Sequence, residues 1–431
     1  MILHPLLVLL DIAYLFQIVS AVYGGDGDIL PPNEEKLDYL SWAPYHWPDC
    51  NWCQSGRAHL STGGNRTTWT TCKYVTRDGK LNPDVRKLHG VQAIADASQS
   101  ILYNAVANIL TGSASYAQSA AQAINVFFLD PQSGMHPRVE YGQVIRGPQK
   151  QVGQYLGVLD FRGMVKVANA ILIMQAVNAP AWTSNLQSEM KDWTTQYLKW
   201  LQTSGIGKKA ISAPNNHGSF AANQVAAMNI LAGDTDAAMG ALESYFNGQF
   251  RDQIAASGEQ PFEAVRTRPF HYRCFNLEAM ITNAKLGDQL GLDFWTAKSK
   301  FGATIKDALD FVLKKGPGKE KVSDIFPHVA AIAAVYGDPG GKYMAYLRKL
   351  DSHFMTAPYY YYDQPAAIHH VLEVKQTDSR DDLPSQRPSI PWECPTVFAA
   401  ALRVQLDDGV FVTCEELKPF YGYVADAGND V

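Results

Sequence analysis

Two segments of the sequence concentrate polar side chains of the kinds that bind anions and transfer protons. The stretch APNNHGSF places Asn216 and His217 side by side, and residues 257–275 add carboxylate, guanidinium, imidazole and phenol groups. The candidates in this second segment are Glu263, Arg266, Arg268, His271 and Tyr272. Glycoside hydrolysis needs two opposed carboxyl groups, whereas Glu259 and Glu263 lie four residues apart in one loop. The set therefore favours an anionic substrate and the abstraction of a proton from it.

A second group of candidate substrate-binding residues lies upstream. The segment MHPRVEYGQVIRGPQ, residues 135–149, is too polar and too aromatic for a simple turn. Long loops on a rigid scaffold are where binding and catalytic residues tend to lie. The upstream candidates are Arg77, His136, Arg138, Tyr141 and Gln143.

Each central residue, taken alone, also has a purely structural interpretation. Asn216 could cap a helix that begins near His217. His217 could be a hydrogen-bonded structural histidine, and Tyr272 could be a packing residue. Glu263 and Arg266 could form a structural ion pair, which would also hold Arg266 in place for binding. The residue types alone therefore do not separate a catalytic from a structural role.

The elements that must position these residues are helices. From Val91 onwards, apolar residues recur every three or four positions, which is the period of an α-helix. The pattern predicts further helices over about 159–178, 184–204, 217–232, 235–256, 273–291, 293–314, 324–336 and 340–355. Short turns between helices predict stacked helical hairpins. Because no clear sequence repeat accompanies them, we expect a mainly α chain folded as an α/α toroid rather than a solenoid array.

The two ends of the chain differ from this helical body. Residues 1–21, MILHPLLVLLDIAYLFQIVSA, predict a signal peptide, with an uncleaved membrane anchor as the alternative because no Lys or Arg precedes the apolar run. Residues 22–431 are predicted to form one domain, with an irregular N-terminal arm, a helical body over about 86–355 and a C-terminal extension over 356–431. In that extension, VQLDDGVFV predicts a β-hairpin around Asp-Gly.

Cysteine placement agrees with a secreted, extracellular protein. We predict a disulfide between Cys394 and Cys414, and a reduced, buried Cys274. Cys50, Cys53 and Cys72 are also expected to form disulfides, with their connectivity left open. The Cys50–Cys53 CxxC spacing could indicate zinc or redox chemistry, but no second CxxC and no nearby His pair accompanies it. The sequon Asn-Arg-Thr, which begins at Asn65, fits the same compartment.

The net charge and the placement of the histidines limit which partners and cofactors the protein is expected to bind. A net charge of −5 gives no global positive field that would attract nucleic acid. His369 and His370 are adjacent and would not share a helix face, so we expect no metal and no cofactor. The expected protein is a monomer without a membrane partner once its signal peptide is removed.

The order of the polar motifs resembles the alginate-lyase-like polysaccharide lyases, which are uronate lyases with an α/α toroid fold. The resemblance covers roughly residues 70–300 and is carried by RDGKLNPD, MHPRVEYGQ, APNNHGSF and GEQPFEAVRTRPFHYRCFNLEA. Two departures stand out: Gly218-Ser219-Phe220 replaces a bulkier aromatic continuation, and the spacing from Arg266 to Tyr272 is about one residue short. Because the Asn-His and Arg-Tyr segments occur together in family order, the catalytic interpretation outweighs the structural one.

This resemblance implies β-elimination on a β-1,4-linked uronate polymer, either alginate or mannuronan or glucuronan, which leaves a C4–C5 unsaturated end. It implies that Asn216 and Arg266 neutralise the substrate carboxylate, that His217 lies close to the C5 proton, and that Tyr272 protonates the leaving oxygen. Whether His217 or Tyr272 takes the C5 proton is open at this point. The alternatives are a toroidal glycoside hydrolase and a catalytically silent carbohydrate-binding wall protein.

Overall fold

The computed structural model describes residues 29–49, 66–149, 151–361 and 392–422. The predicted signal peptide, the Cys50–Cys53 pair, the sequon residue Asn65 and the His369–His370 pair lie outside these ranges. The chain divides into two compact units: residues 1–211 with 224–238, and residues 212–223 with 239–431.

Helices form most of the first unit. They are Arg66–Thr71, Gly90–Thr111, Ala114–Ile124, Met164–Ala176, Ser184–Thr203 and Gly205–Ile211. Two further helices, Asn216–Ala232 and Thr235–Asn247, have residues in both units. The helix Gly90–Thr111 packs against the two helices that follow it. Its buried stripe includes Ile94, Ala97, Ile101 and Ala105, which have the three- and four-residue spacing of one helix face. The predicted helical periodicity from Val91 is confirmed.

The N-terminal arm, which the sequence predicted to be irregular, contains three short strands, and a fourth strand from beyond the arm pairs with one of them. They are β1 (Leu40–Trp42), β2 (His46–Pro48), β3 (Tyr74–Thr76) and β4 (Tyr141–Val144). Strand β1 pairs in parallel with β4, and β2 pairs antiparallel with β3. A small apolar core that includes Trp42, Trp69 and Tyr74 packs around them. The β1–β4 pair fixes the polar segment around Tyr141 to the arm.

The second unit is organised around a long helix, Pro269–Gln289, whose residues Leu277, Met280, Ile281 and Ala284 are fully buried. Its other helices are Phe250–Gln253, Pro261–Ala264, Ile305–Lys315, Phe326–Tyr336, Lys342–Leu350, Pro358–Tyr361 and Cys414–Leu417. Shorter helical turns across both units are the π-helix Asn125–Leu129 and the 3-10 helices Pro83–Lys87, Tyr155–Phe161, Val322–Ile325, Pro339–Gly341, Phe354–Thr356, Thr396–Ala399 and Lys418–Tyr421.

Two helix boundaries differ from the sequence prediction. The helix predicted over 293–314 is wrong in its first half, because the structure begins that helix only at Ile305. Thr304 and Asp307 form a reciprocal capping box at this start, which fixes the boundary. The helix predicted from 273 begins four residues earlier, with Pro269 at its first position. This earlier start places His271 and Tyr272 in the first helical turn.

The predicted C-terminal β-hairpin is confirmed. Strands β5 (Arg403–Asp407) and β6 (Val410–Thr413) pair antiparallel, and Leu406 and Val412 contribute to an apolar cluster with Phe262 and other residues of this unit. The predicted disulfide between Cys394 and Cys414 is present, with the two Cα atoms 5.7 Å apart. Cys274 is buried and free, as predicted. Within the described ranges, no helix has the length and apolar character needed to cross a membrane.

Candidate active site

The Asn-His pair lies at the start of the helix Asn216–Ala232. The backbone N–H groups of Gly218 and Ser219 donate to the Asn215 carbonyl at 3.0 and 3.3 Å, which closes the first turn. A Cβ atom at Gly218 would lie 1.9 Å from the Ala213 carbonyl oxygen. Because the chain passes so closely here, glycine is required at the position where the sequence departs from the expected family pattern.

Glu263 holds Asn216 by two hydrogen bonds. The Asn216 backbone N–H donates to Glu263 Oε1 at 2.8 Å, and Asn216 Nδ2 donates to Oε2 at 2.7 Å. Both side chains are fully buried. Burial raises the pKa of Glu263 to about 7, while the hydrogen bonds from Asn216 and the charge of Arg266 oppose the rise and Asp407 adds to it. This carboxyl therefore changes its charge close to neutral pH.

Arg266 connects the proposed catalytic tyrosine to the C-terminal hairpin. Its Nη2 donates to Tyr272 Oη at 2.8 Å and to Asp407 Oδ2 at 2.5 Å. The guanidinium carbon lies 3.8 Å from the centroid of the Tyr272 ring. A cationic donor on the phenol oxygen stabilises the phenolate, which is the form that can accept a proton.

His217 is neutral at physiological pH. Its side chain is almost completely buried, and this burial lowers its pKa to about 3. The positive charge of Arg266 lowers the pKa further, and a backbone hydrogen bond with Leu406 opposes the decrease. An imidazole with so low a pKa is a weak base, although it can still form hydrogen bonds in the site.

A network of buried amides and hydroxyls holds the segment that carries the Asn-His pair. Gln253 Nε2 donates to the Pro214 carbonyl at 2.9 Å, and the Tyr245 hydroxyl donates to Gln253 Oε1 at 2.8 Å. Ser219 Oγ donates to Asn276 Oδ1 at 2.8 Å, which links the segment to the helix Pro269–Gln289. Satisfied buried networks of this kind restrict side chains to one arrangement.

The C-terminal hairpin supplies contacts that sequence reasoning missed. Asp407 binds Arg266, and Asn215 Nδ2 donates to the Leu406 carbonyl at 2.9 Å. Arg266 and Asp407 are 141 residues apart in the chain. No local pattern in the sequence indicates this pairing, since the Asp-Gly turn by itself predicts only a hairpin.

The remaining candidates of the second unit lie around the start of the helix Pro269–Gln289. His271 is half-buried, and its Nδ1 lies 3.1 Å from Asp324 Oδ2. Arg268 occupies the N-cap position, where its carbonyl accepts the Tyr272 N–H at 3.0 Å. Arg273 binds both Glu259 oxygens, at 2.6 and 2.7 Å, so its guanidinium is directed at a carboxylate.

Two candidates of the first unit bind one carboxylate, and a third is exposed. Asp38 accepts hydrogen bonds from His136 Nδ1 at 2.8 Å and from Arg138 Nε and Nη2 at 2.7 and 2.8 Å. Burial raises the pKa of Asp38, but hydrogen bonds led by that of Arg138 outweigh it and leave the pKa below its usual value. Arg77 is exposed and lies 5.3 Å from the centroid of the Trp47 ring.

Tyr141 and Gln143 both lie on β4 but have different surroundings. Tyr141 is half-buried and opposes Leu40 of β1. Gln143 Nε2 donates to Asp160 Oδ1 at 3.1 Å and to the Leu156 carbonyl at 3.3 Å. Because Asp160 is buried and also accepts hydrogen bonds from hydroxyl groups, Gln143 belongs to an internal network of the first unit.

The structure therefore brings five sequence candidates together in the second unit: Asn216, His217, Glu263, Arg266 and Tyr272. Within the part of the chain that the structure describes, no group of three or more His, Cys, Asp or Glu side chains could hold a metal ion. The arrangement combines a buried amide, a guanidinium, a neutral imidazole and a phenol.

Comparison with known proteins identifies relatives of the chain. A family model described as alginate lyase matches residues 26–322. The crystal structure of an alginate lyase from Bacteroides ovatus is 26% identical, with a TM-score of 0.66 over 80% of this chain and 92% of that chain. Alginate lyase A1-III from Sphingomonas species A1 is 16% identical, with a TM-score of 0.46 over 75% of this chain and 87% of that chain. No curated protein matches the chain.

Proposed function

Because this chain belongs to the alginate lyase family, we propose that its site cleaves alginate or a related β-1,4-linked uronate polymer by β-elimination. The chain is a polysaccharide lyase, as the sequence predicted, and its substrate class is an anionic polysaccharide. The predicted mainly α fold of the toroid type is confirmed by the helical structure and by the fold shared with the Bacteroides ovatus alginate lyase.

The observation that carries this proposal is the hydrogen bond from Arg266 to Tyr272, together with the fixed position of Asn216. In a uronate, the C5 proton is adjacent to the carboxylate and is very weakly acidic while that group keeps its full charge. Loss of the proton would place a second negative charge beside the first, so donors must neutralise the carboxylate. Arg266 supplies a guanidinium for this purpose and Asn216 supplies an amide. The Asn216 amide has two N–H donors, and Glu263 accepts from only one of them, so the other is assigned to the substrate.

Tyr272 is assigned both proton transfers. In β-1,4-linked mannuronate and glucuronate, H5 and O4 lie on the same face of the sugar, so one group can reach both. The phenolate, stabilised by Arg266, takes the C5 proton and passes it to O4 as the C4–O bond breaks and the C4–C5 double bond forms. We assign His217 the role of a neutral hydrogen-bonding partner near C5, since its pKa of about 3 makes it a poor base.

A hydrolase mechanism receives less support. Of the two carboxyl groups in the loop, Glu263 accepts from Asn216, and Glu259 accepts from Nε and Nη2 of Arg273. Neither is left as one half of an acid/base pair across a glycosidic bond. The catalytically silent carbohydrate-binding alternative accounts less well for a tyrosine that accepts a hydrogen bond from a buried arginine.

The test is incubation with mannuronan, guluronan and glucuronan while ultraviolet absorbance and reducing ends are both followed. A lyase produces the two signals together, because each cleavage creates a C4–C5 double bond. We expect mannuronan or glucuronan to react faster than guluronan. Reducing ends without absorbance would indicate a hydrolase, and neither signal would indicate a binding protein; either outcome contradicts the proposal.

We also propose that the protein is secreted after removal of residues 1–21. The Cys394–Cys414 disulfide supports this, because disulfides persist mainly in oxidising compartments. Expression in a secretory host followed by N-terminal sequencing of the medium fraction tests it. Retention of the whole chain in the cells with both cysteines reduced would contradict it.

A further inference from the structure

The groups assigned to the chemistry are buried, and the tip of the C-terminal hairpin places Asp407 on one of them. The Arg266 side chain is 0% exposed, and that of Asp407, which binds it, is 12% exposed. His217 and Tyr272 are each 5% exposed. A uronate carboxylate can therefore take the place of Asp407 on Arg266 Nη2 only if the contact between Arg266 and Asp407 opens.

Asp407 is held at the tip of a well-anchored hairpin. It is the last residue of β5, and its Oδ1 accepts the N–H of the turn residue Asp408 at 2.8 Å, while Oδ2 faces Arg266. The far end of the hairpin is anchored by the Cys394–Cys414 disulfide, and Leu406, which immediately precedes Asp407, is fully buried in an apolar cluster. Opening of the contact can thus be confined to the Asp407 side chain.

We propose that Asp407 is a specificity-determining residue, whose carboxylate occupies on Arg266 the place that the uronate carboxylate takes during catalysis. This inference rests on the proposed function. Removing the carboxylate that is bound to a buried guanidinium is costly, so the departure of Asp407 is favoured when another anion takes its place on Arg266. A uronate meets that condition and a neutral sugar does not. Asp407 lies outside residues 26–322, which the family model matches.

Replacement of Asp407 by the uronate carboxylate on Arg266 predicts a particular effect on KM and kcat. The apparent dissociation constant equals the intrinsic constant divided by the fraction of open molecules. Asp407→Asn removes the charge that holds the closed form and so increases that fraction. A hydrogen bond between charged groups corresponds to roughly a tenfold or larger change in an equilibrium constant. We therefore expect a KM about tenfold lower, with kcat within about twofold of wild type because the substrate-bound site is unchanged.

The experiment compares wild type, Asp407→Asn, Asp407→Glu and Asp408→Asn on one uronate polymer at constant ionic strength, with thermal melts. Asp408→Asn is the matched control, since it removes the same charge one residue away and leaves Asn-Gly, which suits a hairpin turn. It should keep the wild-type KM, and Asp407→Glu should bring KM back toward wild type. If Asp407→Asn does not fold, Asp407→Ser, which keeps an acceptor for the Asp408 N–H, replaces it with the same expected KM.

Three outcomes would overturn the inference. An unchanged or higher KM in the folded Asp407 variant, or a loss confined to kcat, would make Asp407 a structural support for Arg266. An equal decrease of KM in Asp408→Asn would assign the effect to net charge near the site. Wild-type protein that is inactive on every uronate polymer would instead contradict the proposed function, so the two failures are distinguishable.

Discussion

Replacement of Glu263 by Gln should change both the rate and its dependence on pH. The substitution keeps the shape of the side chain but turns one acceptor oxygen into an NH₂ donor. In the native protein, both oxygens accept from Asn216, at 2.8 and 2.7 Å. The glutamine amide must therefore oppose one N–H of Asn216 with another N–H, which displaces the amide that we assign to the substrate carboxylate.

The magnitude follows from the lost interaction. A hydrogen bond to a charged group contributes about 1.5–3 kcal/mol, and 1.4 kcal/mol corresponds to a factor of about ten. We expect kcat/KM of Glu263→Gln to be about 10- to 100-fold below wild type at pH 8, where Glu263 is ionised. Burial raises the pKa of Glu263 to about 7, so the wild-type kcat/KM should fall as pH decreases through that value and Asn216 loses its charged acceptor.

The assay is kcat/KM on the best uronate polymer from pH 5 to pH 9 for the two proteins, each checked by a thermal melt. Glu263→Gln has no proton to lose, so the decrease near pH 7 should disappear and the two proteins should differ least in acid. Glu278→Gln is the control, because Glu278 is a half-buried residue of the helix Pro269–Gln289, and it should keep the wild-type dependence of kcat/KM on pH. A decrease near pH 7 that persists in Glu263→Gln would refute the reasoning.

Stability should respond to pH in the opposite direction. The pKa of Glu263 is higher in the folded state than its ordinary value of 4.5, so between these values the folded protein binds more protons than the unfolded chain. The contribution of Glu263 to the free energy of unfolding is therefore full below about pH 4.5 and is lost as pH rises through about 7. In Glu263→Gln this part of the pH dependence should be absent from thermal melts.

Two further substitutions test the geometry of the site. Arg266→Lys should lower kcat/KM by about 100-fold or more while the protein stays folded, because one ammonium cannot reproduce the guanidinium contacts with Tyr272 and Asp407; near-normal kinetics would make Arg266 peripheral. Gly218→Ala should lower the free energy of unfolding by about 2–4 kcal/mol, since its Cβ would lie 1.9 Å from a carbonyl oxygen. Gly240→Ala is the matched control, because nothing lies within 4 Å of the new Cβ, and it should be neutral or stabilising. Equal melting temperatures for the two variants would contradict the close approach at Gly218.

Local patterns predicted those parts of the fold that local interactions determine. The helix periodicity from Val91 and the hairpin around Asp-Gly are both read from neighbouring residues, and both are confirmed. The first part of the helix predicted over 293–314 is wrong, because the apolar residues before Ile305 pack from an irregular segment, in which Trp295 is buried. The periodicity of a sequence cannot distinguish burial in a loop from burial on a helix.

The sequence indicates the candidate residues by their types but does not indicate their contacts. Asn216 and Glu263 are 47 residues apart, and their pairing depends on the short helix Pro261–Ala264, which no periodic pattern indicates. The position of Asp407 beside Arg266 depends on how the C-terminal segment packs against Phe262 and its neighbours. Contacts over such separations arise from tertiary packing, so sequence motifs locate the candidate residues without their partners.

The most direct test of the account is kcat of Tyr272→Phe on the uronate polymer that the wild-type protein cleaves best. The substitution removes the oxygen that accepts from Arg266 and keeps the ring that packs 3.8 Å from the guanidinium, so the fold should survive. We predict a decrease of about 10²–10⁴-fold in kcat with little change in KM, because the proton transfers occur in the transition state. A folded Tyr272→Phe protein with a kcat close to wild type would contradict the account and leave His217 as the proton-transfer group.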